Sequence, residues 1–327
     1  MTPLLPRLRR RAALCIAFAT ATSFAGAQES WPAHPVKLVV PYAAGGTSDL
    51  LARYIAQNLT EAWGQPVLVE NRTGAGTVIG SSTVAKAKPD GYTLLMTNNT
   101  HVINPLVMAS VPYDPLRDFM PLARLASTPY LLLVNPKVPA TTVQEYVALA
   151  RSRPGKLNFG TGGPGGLTHL GGEIFNAQAK TEIAMIHYKG AAPLTAAALS
   201  GEIDAYLDAP ATTTQLVEQG KLRALAVTGP QRLPTMPQVP TVRESGLPDY
   251  DVTITYVVLG PAGLPANVRD RIGNEITRIL GRTDVQQKLQ SLGLTPAAAG
   301  PRDTASWLQG EQEKYGRVVK TARIKVE

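Results

Sequence analysis

Residues 36–59 read VKLVVPYAAGGTSDLLARYIAQNL, and this stretch sets the pattern of the whole chain. The β-branched run over 36–40 predicts a strand, and the apolar spacing over 48–59 predicts an amphipathic helix. Gly45 and Gly46 lie between them and let the backbone turn tightly. The stretch therefore predicts a strand–turn–helix unit, the building block of an α/β fold.

The same order recurs along the chain and predicts βα units around a parallel-rich sheet. Two further units pair Leu157–Phe159 with a helix over Leu167–Ala177, and Ala184–Tyr188 with a helix over Pro193–Leu199. A strand at Thr93–Met96 is expected to lead into a loop. The remaining elements are strands at Val67–Glu70, Leu131–Val134, Ala205–Leu207, Ala224–Val227 and Ile254–Leu259, and helices at Asn267–Leu280 and Thr304–Val319.

Residues 1–27 have the composition of a secretory signal. A basic stretch precedes an apolar run over 12–25, and the small-residue site Ala25-Gly26-Ala27 follows. Such a segment is removed on export, so we expect cleavage after Ala27. The pair Arg9-Arg10 leaves twin-arginine export open beside the general secretory route.

The mature chain, residues 28–327, is long enough for two domains of about 150 residues each. Tyr130–Val134 and Ile254–Leu259 are flanked by Pro and Gly, and we interpret them as passages between lobes rather than as members of one sheet. They predict a hinge between lobe one, residues 28–129 plus 257–327, and lobe two, residues 130–256.

Composition excludes several classes of protein. The formal net charge is +8, but four of the basic residues are arginines of the signal. Aromatic residues make up 6% and the basic residues are dispersed, so no nucleic-acid partner is expected. The chain's one cysteine, Cys15, lies in the signal, which excludes disulfides and cysteine-bound zinc after cleavage. A mild positive excess favours an anionic ligand.

The turn at residues 41–49, which we call the first cradle, is a candidate anion site. Thr47 or Ser48 is expected to cap the helix, and the N–H groups of its first turn would then point outward. The positive end of the helix dipole favours a carboxylate or phosphate there. The alternative is an ordinary strand–helix turn with a Ser or Thr cap.

Residues 160–169, GTGGPGGLTH, form a second cradle before the helix that starts at Leu167. Gly160, Gly162 and Gly165 match the dinucleotide fingerprint. The acidic residue expected about 20 positions later is absent, because the next strand ends at His187-Tyr188-Lys189. No Lys-Ser or Lys-Thr follows the glycines, so the loop is not a mononucleotide P-loop either. A periplasmic enzyme that uses a dinucleotide is the alternative from another functional class.

One cradle in each predicted lobe indicates a cleft in which two helix starts hold an acid between them. No Gly-x-Ser-x-Gly elbow or evident nucleophile–histidine pair is present, so we expect no enzyme activity. The four histidines lie far apart in sequence, without the spacing of metal ligands, and we expect neither a metal nor a cofactor.

Several motifs together resemble the Bug family, the periplasmic receptors of tripartite tricarboxylate transporters. The resemblance extends over nearly all of the mature chain. Its motifs are the first cradle, Asn71–Gly76, Pro89–Tyr92, His101–Pro105, Tyr188–Gly190 with Pro193, and Gly220–Thr228. The resemblance implies a two-lobe α/β Venus-flytrap fold and a small carboxylate (a di- or tricarboxylate, an amino acid or an aromatic acid) held by backbone amides. It also implies a periplasmic, monomeric receptor that serves permease subunits; a sensor kinase is the alternative partner.

Carried over by position, the resemblance implies ligand contacts at Tyr42, Gly45, Gly46, Thr47, Asp49, Thr161, Gly162, Gly165, Thr168 and His169. Further candidates near the cleft are Asn98, His101, Gly166, Tyr188, Gly190 and Asp208.

Two departures from the family pattern leave the acid unnamed: His187 stands where Pro is common, and Ala209 where Asn is common. Asp49 would either complement the helix dipole or pair with a ligand ammonium or hydroxyl group. His101 and His169 are either hydrogen-bond partners of the ligand or satisfied structural histidines.

Overall fold

Each strand predicted from the sequence has a counterpart in the computed structural model, which describes residues 31–324. The predicted signal, residues 1–27, lies outside the described residues. Within residues 31–324 no helix is both long and apolar enough to span a membrane.

The first sheet has six strands in the order β11-β4-β10-β3-β1-β2. Strand β1 pairs in parallel with β2 and β3, whereas β10 runs antiparallel to β3 and β4, and β11 antiparallel to β4. The parallel-rich sheet expected from the sequence is therefore a mixed sheet, because the chain re-enters it through β10. The bounds are β1 Val36–Val40, β2 Val67–Asn71, β3 Thr93–Thr97, β4 Phe119–Pro129, β10 Thr253–Pro261 and β11 Thr295–Ala299.

The second sheet has five strands in the order β7-β6-β8-β5-β9. Strand β6 is parallel to β7 and β8, and β5 is antiparallel to β8 and β9. The bounds are β5 Leu131–Val134, β6 Asn158–Thr161, β7 Ala184–His187, β8 Ala205–Asp208 and β9 Arg223–Val227.

The helices cover more of the chain than the apolar spacing predicted. Thr93–Met96 does not lead into a simple loop, since a helix begins at Thr100. The bounds are α1 Thr47–Trp63, α2 Val78–Ala85, α3 Thr100–Val107, α4 Val143–Ser152, α5 Leu167–Ala179, α6 Ala191–Ser200, α7 Pro210–Glu218, α8 Ala266–Leu280, α9 Thr283–Ser291 and α10 Pro301–Ala322.

The chain crosses between the sheets at Tyr130 and returns through residues 228–252. Tyr130–Val134 and Ile254–Leu259 adjoin these crossings, but the expectation that they are not members of a sheet is wrong: β5 lies between β8 and β9, and β10 between β3 and β4. Both runs are mostly apolar because strands inside a sheet covered on both faces are buried. The crossing is held by Thr228, whose Oγ1 accepts the Tyr130 N–H at 2.8 Å and donates to the Val252 oxygen at 2.6 Å.

The buried cores position the two cradles. Parallel strands carry their carboxyl ends at the same edge of a sheet, so the turns after β1, β2 and β3 share one edge of the first sheet. The turns after β6, β7 and β8 share one edge of the second. Helix α10 contributes Leu308 to a core cluster of the first sheet and Tyr315 to a cluster of the second.

Candidate functional site

The first cradle is built on two glycines with different tasks. Gly45 has a left-handed backbone, with φ +83°, and Gly46 is the extended N-cap of α1, with φ −80°. The expectation that Thr47 or Ser48 caps this helix is wrong, because no side chain caps it. The Leu50 N–H is the first to bond inside the helix, to Gly46 oxygen at 3.0 Å. The amides of residues 47–49 therefore have no acceptor inside the helix.

Asp49 closes this cradle from within. Its Oδ2 accepts the Gly45 N–H at 2.9 Å and Arg53 Nε at 3.0 Å, while its Oδ1 accepts Asn71 Nδ2 at 2.9 Å. The hydrogen bond from Arg53 is the largest of the causes that lower the pKa of Asp49 to about 2. Asp49 is 3% exposed, and its hydrogen bonds go to the protein, so it acts as the internal clasp of the loop.

Tyr42 of the first cradle contacts the residues that follow β3, where Asn98 lies. The Tyr42 hydroxyl is 3.0 Å from Thr100 Oγ1, and Asn98 Oδ1 accepts the Thr100 N–H at 2.9 Å. Burial raises the pKa of Tyr42 to about 12, so its hydroxyl stays protonated and can donate a hydrogen bond. The structure thus brings Tyr42, Asn98, Thr47 and Asp49 to one sheet edge.

The second cradle repeats the backbone of the first. Gly165 is left-handed, with φ +71°, and Gly166 is the extended N-cap of α5, with φ −72° and no side-chain cap. The Gly165 N–H donates to His169 Nδ1 at 2.9 Å, just as the Gly45 N–H donates to Asp49. The amides of residues 167–169 are left without acceptors in the helix, as in the first cradle.

Three of the glycine amides implied as ligand contacts are used by the loops themselves. The Gly45 amide donates to Asp49 and the Gly165 amide to His169, the clasp of the second cradle. The Gly162 N–H donates to Thr168 Oγ1 at 3.0 Å. These contacts do not use the first-turn amides of α1 and α5, which stay available as donors. In this conformation, Gly45, Gly162 and Gly165 shape the cradles.

The floor of the second cradle is formed by the ends of β6 and β7. Thr161 is fully buried, and its Oγ1 lies 2.7 Å from His187 Nδ1. The Gly190 N–H donates to the Gly162 oxygen at 3.2 Å and braces the glycine loop. The Tyr188 hydroxyl donates to Glu202 at 2.7 Å and is therefore engaged at the surface.

Asp208 ends β8 and is a buried carboxylate, 7% exposed. Its oxygens accept the Ala209 N–H at 2.7 Å and Thr195 Oγ1 at 3.2 Å, and within residues 31–324 no cation forms an ion pair with it. Burial raises the pKa of Asp208. Its charge also contributes to raising the pKa of Tyr130, so it lies near the crossing between the sheets.

A crevice of about 360 Å³ lies between helices of the first and second sheets. Thr47 and Leu50 of α1 line it together with Pro210 and Thr214 of α7 and Leu292 of the turn before β11. The start of α1 thus faces the helix that follows Asp208, which places the first cradle beside an element of the second sheet.

Comparison with known proteins gives this arrangement a family. The sequence model of the tripartite tricarboxylate transporter family receptor matches residues 51–324. The chain belongs to this receptor family. BugT of Bordetella pertussis is 32% identical over 91% of this chain and 92% of its own length.

Two solved structures extend the similarity to the fold. R. palustris Rpa4515 with adipate is 35% identical, has a TM-score of 0.80, and is matched over 90% of this chain and 99% of that one. MatC (Rpa3494) of Rhodopseudomonas palustris with bound malate is 30% identical, has a TM-score of 0.75, and is matched over 88% and 100%. The expected α/β fold of a periplasmic binding protein is confirmed.

His101 requires a correction within this receptor. It lies in α3 and is 0% exposed. Its Nε2 is 2.9 Å from the Pro115 oxygen, and its ring packs edge-on against Phe119 at 4.5 Å. Burial is the main cause that lowers its pKa to about 4. His101 is therefore a neutral core histidine, and the prediction of a cleft hydrogen-bonder is wrong.

Sequence reasoning missed two supporting residues of the receptor's first cradle. Asn71 donates to Asp49 and also to the Tyr42 oxygen at 3.1 Å, and Arg53 pairs with Asp49. Asn71 directly follows the predicted strand Val67–Glu70 and ends β2, whose carboxyl end shares an edge with that of β1, and this position could have identified it. Arg53 is one helical turn after Asp49, the spacing of a helical ion pair.

Proposed function

We propose that the receptor binds a small carboxylate between its two cradles and delivers it to the permease subunits of a tripartite carrier. The observation that carries this proposal is the repeated design of the cradles, in which two glycine-capped helix starts each offer three amides without helical acceptors. Adipate and malate, the ligands in the structures of two relatives, support the same class of ligand.

The available donors suffice for useful affinity. A hydrogen bond to a charged group contributes about 1.5–3 kcal/mol, and micromolar binding corresponds to about 8 kcal/mol, net of an association cost of at least about 4 kcal/mol. Four or five of the six first-turn amides, together with the helix dipoles, reach this range without a cationic side chain.

Two lobes that close on the ligand follow from the same proposal. We assign residues 28–129 plus 253–327 to lobe one and residues 130–252 to lobe two, which places the boundary at the start of β10 and not at the residue 257 predicted from the sequence. Tyr130, Thr228 and Val252 connect the sheets through short hydrogen bonds, so rotation of the lobes would be absorbed near these residues.

The family supports a periplasmic location, which agrees with the predicted signal segment. We propose cleavage after Ala27, a monomeric receptor and no catalytic step. A sensor kinase in place of the permease is the second candidate partner; the presence or absence of neighbouring permease genes distinguishes the two.

A thermal-shift assay tests the proposal. The protein is unfolded, washed and refolded to remove bound solute, and then heated with adipate, malate, glutamate, benzoate or citrate. At least one acid should raise Tm in a concentration-dependent way, because a ligand that binds the folded state stabilises it. Matching amides and alcohols serve as uncharged controls. An unchanged Tm with every acid at millimolar concentration would contradict the proposal.

A further inference from the structure

His187 ends β7 and contacts two residues of the second cradle, Thr161 and His169. Side chains alternate along a strand, so Met185 and His187 of β7 share one face. That face points to α5, because Met185 packs against Gly172 and the His187 ring is edge-on to His169 at 4.6 Å. The imidazole therefore lies beside the first helical turn, whose amides are the proposed carboxylate donors.

Protonation of His187 breaks none of its hydrogen bonds. A protonated Nδ1 donates to Thr161 Oγ1, at 2.7 Å, and the Thr161 hydroxyl can then donate to the Gly163 oxygen, at 3.4 Å. His187 Nε2 has no hydrogen-bond partner within residues 31–324, and the residue is exposed. The ring can therefore carry a proton on each nitrogen.

His169 is not equivalent to His187. Its Nδ1 accepts the Gly165 N–H at 2.9 Å, so a proton on that nitrogen would open the clasp of the cradle. Of the two histidines, only His187 can become a cation while the loop keeps its shape.

The charges around His187 are few. Helix α5 presents His169 and Glu173, β6 presents the uncharged Thr161, and the exposed Lys189 follows two residues later. Among the described residues, no strand pairs with the other side of β7, which is an edge strand. Burial and then His169 lower the pKa of His187, whereas Glu173 raises it. The unliganded ring is therefore mostly neutral at pH 7, and a bound anion would favour its protonation.

We propose that His187 is a specificity-determining residue of the second cradle, which takes up a proton as a carboxylate binds and thereby strengthens binding of anions. This inference rests on the proposed function. Because proton uptake is linked to affinity, binding should tighten as the pH falls. We expect the dissociation constant to fall by roughly three- to tenfold between about pH 8 and pH 6.

Isothermal titration calorimetry tests this inference. The probe is whichever of adipate, malate, glutamate and benzoate gives the largest thermal shift, titrated at about pH 6, 7 and 8 in buffers of different ionisation enthalpy. These buffers reveal the number of protons taken up. Wild type should take up a fraction of one proton near pH 7, and His187→Gln should take up markedly less and lose most of the pH dependence.

Two further variants sharpen the test. His34→Gln is the control. His34 precedes β1 and stacks on Tyr92, at the edge of the first sheet opposite to the first cradle. This variant should bind the probe as wild type does. His187→Lys carries a charge at every pH used, so it should bind the probe more tightly than His187→Gln at pH 8 and with little pH dependence.

Each remaining outcome counts against the inference. Unchanged proton uptake in His187→Gln would assign the proton to another group. Wild-type binding that does not depend on pH would show that no proton is taken up with the ligand. Both outcomes leave the proposed function intact. Failure of all the proteins to bind any probe at any pH would overturn the proposed function and this inference together.

Discussion

The two cradles share one backbone but close it with different chemistry. Each has a left-handed glycine, an extended glycine at the N-cap, and a side chain at the third helical position that accepts the amide of the left-handed glycine. That side chain is Asp49 in the first cradle and His169 in the second, at 2.9 Å in both. The backbone requirement is thus the same, while the acceptor differs.

The difference shows how an acid can lie beside an anion site. Asp49 is ionised, but Arg53 and Asn71 take up its remaining capacity as an acceptor. His169 accepts through a neutral nitrogen and needs no cation. The first cradle therefore has a fixed charge balance above about pH 4, and the second is the one that neighbouring histidines can tune.

The largest expected effect on ligand binding comes from substituting the N-cap glycine of either cradle. A Cβ on Gly46 would meet only the Ala43 oxygen at 3.7 Å, and one on Gly166 the Gly163 oxygen at 3.5 Å, so Gly46→Val and Gly166→Val should fold. Their side chains would crowd the first-turn amides, and each should weaken binding of the best acid about 100-fold, by calorimetry.

Gly300→Val is the matched control, because Gly300 is also an N-cap glycine in open space, at the start of α10. It should bind as wild type. Normal binding by Gly46→Val would show that the ligand does not approach the first cradle. Normal binding by Gly166→Val would show the same for the second cradle.

The next effect separates the two clasps by pH. The pKa of Asp49 is lowered to about 2, so its stabilising contribution is complete above about pH 4 and is lost as the pH falls through 4 towards 2. Asp49→Asn should lower the free energy of unfolding in urea by about 2 kcal/mol at pH 7. The difference in free energy of unfolding between wild type and Asp49→Asn should nearly vanish at pH 2. An equal difference at pH 7 and pH 2 would contradict the role assigned to the Asp49 carboxylate.

A smaller effect tests whether both cradles need their left-handed glycines. Gly45→Ala and Gly165→Ala should each lower the free energy of unfolding by about 1–2 kcal/mol, since a Cβ is strained at positive φ. Gly310→Ala, inside α10, should instead stabilise by about 0.5–1 kcal/mol. The double variant of Gly45 and Gly165 should show the sum within about 0.5 kcal/mol, and a larger departure would mean that the cradles are coupled.

The smallest effect concerns Arg53, which is 53% exposed at its side chain. Arg53→Met should cost less than about 1 kcal/mol at pH 7, because solvent screens exposed ion pairs. It should also move the acid transition of Asp49 to higher pH, which urea unfolding between about pH 2 and 5 would detect. An unchanged transition would show that Arg53 does not set the pKa of Asp49.

The sequence predicted those parts of the fold that depend on local pattern. The strand at 36–40 has the predicted bounds, since its β-branched run is bounded by Pro on both sides. The strand at 119–129 was missed, because Pro121 and Arg124 interrupt its apolar pattern and its pairing partner lies more than a hundred residues away. Long-range pairing leaves little local signal.

The site shows the same division. Glycine spacing located both cradles, but it could not show that Gly46 and Gly166 act as the caps, nor that Asp49 and His169 turn back onto the loops. His101 was misplaced because burial depends on Tyr113 and Phe119, which follow it on a separate segment. These outcomes depend on tertiary contacts and not on motif content.

A crystal structure of the receptor with its best-binding acid tests the central claim most directly. We predict one carboxylate group whose oxygens lie within about 3.2 Å of first-turn amides of both α1 and α5, directly or through one ordered water. An acid bound by one helix start alone, or bound away from both glycine turns, would contradict the account.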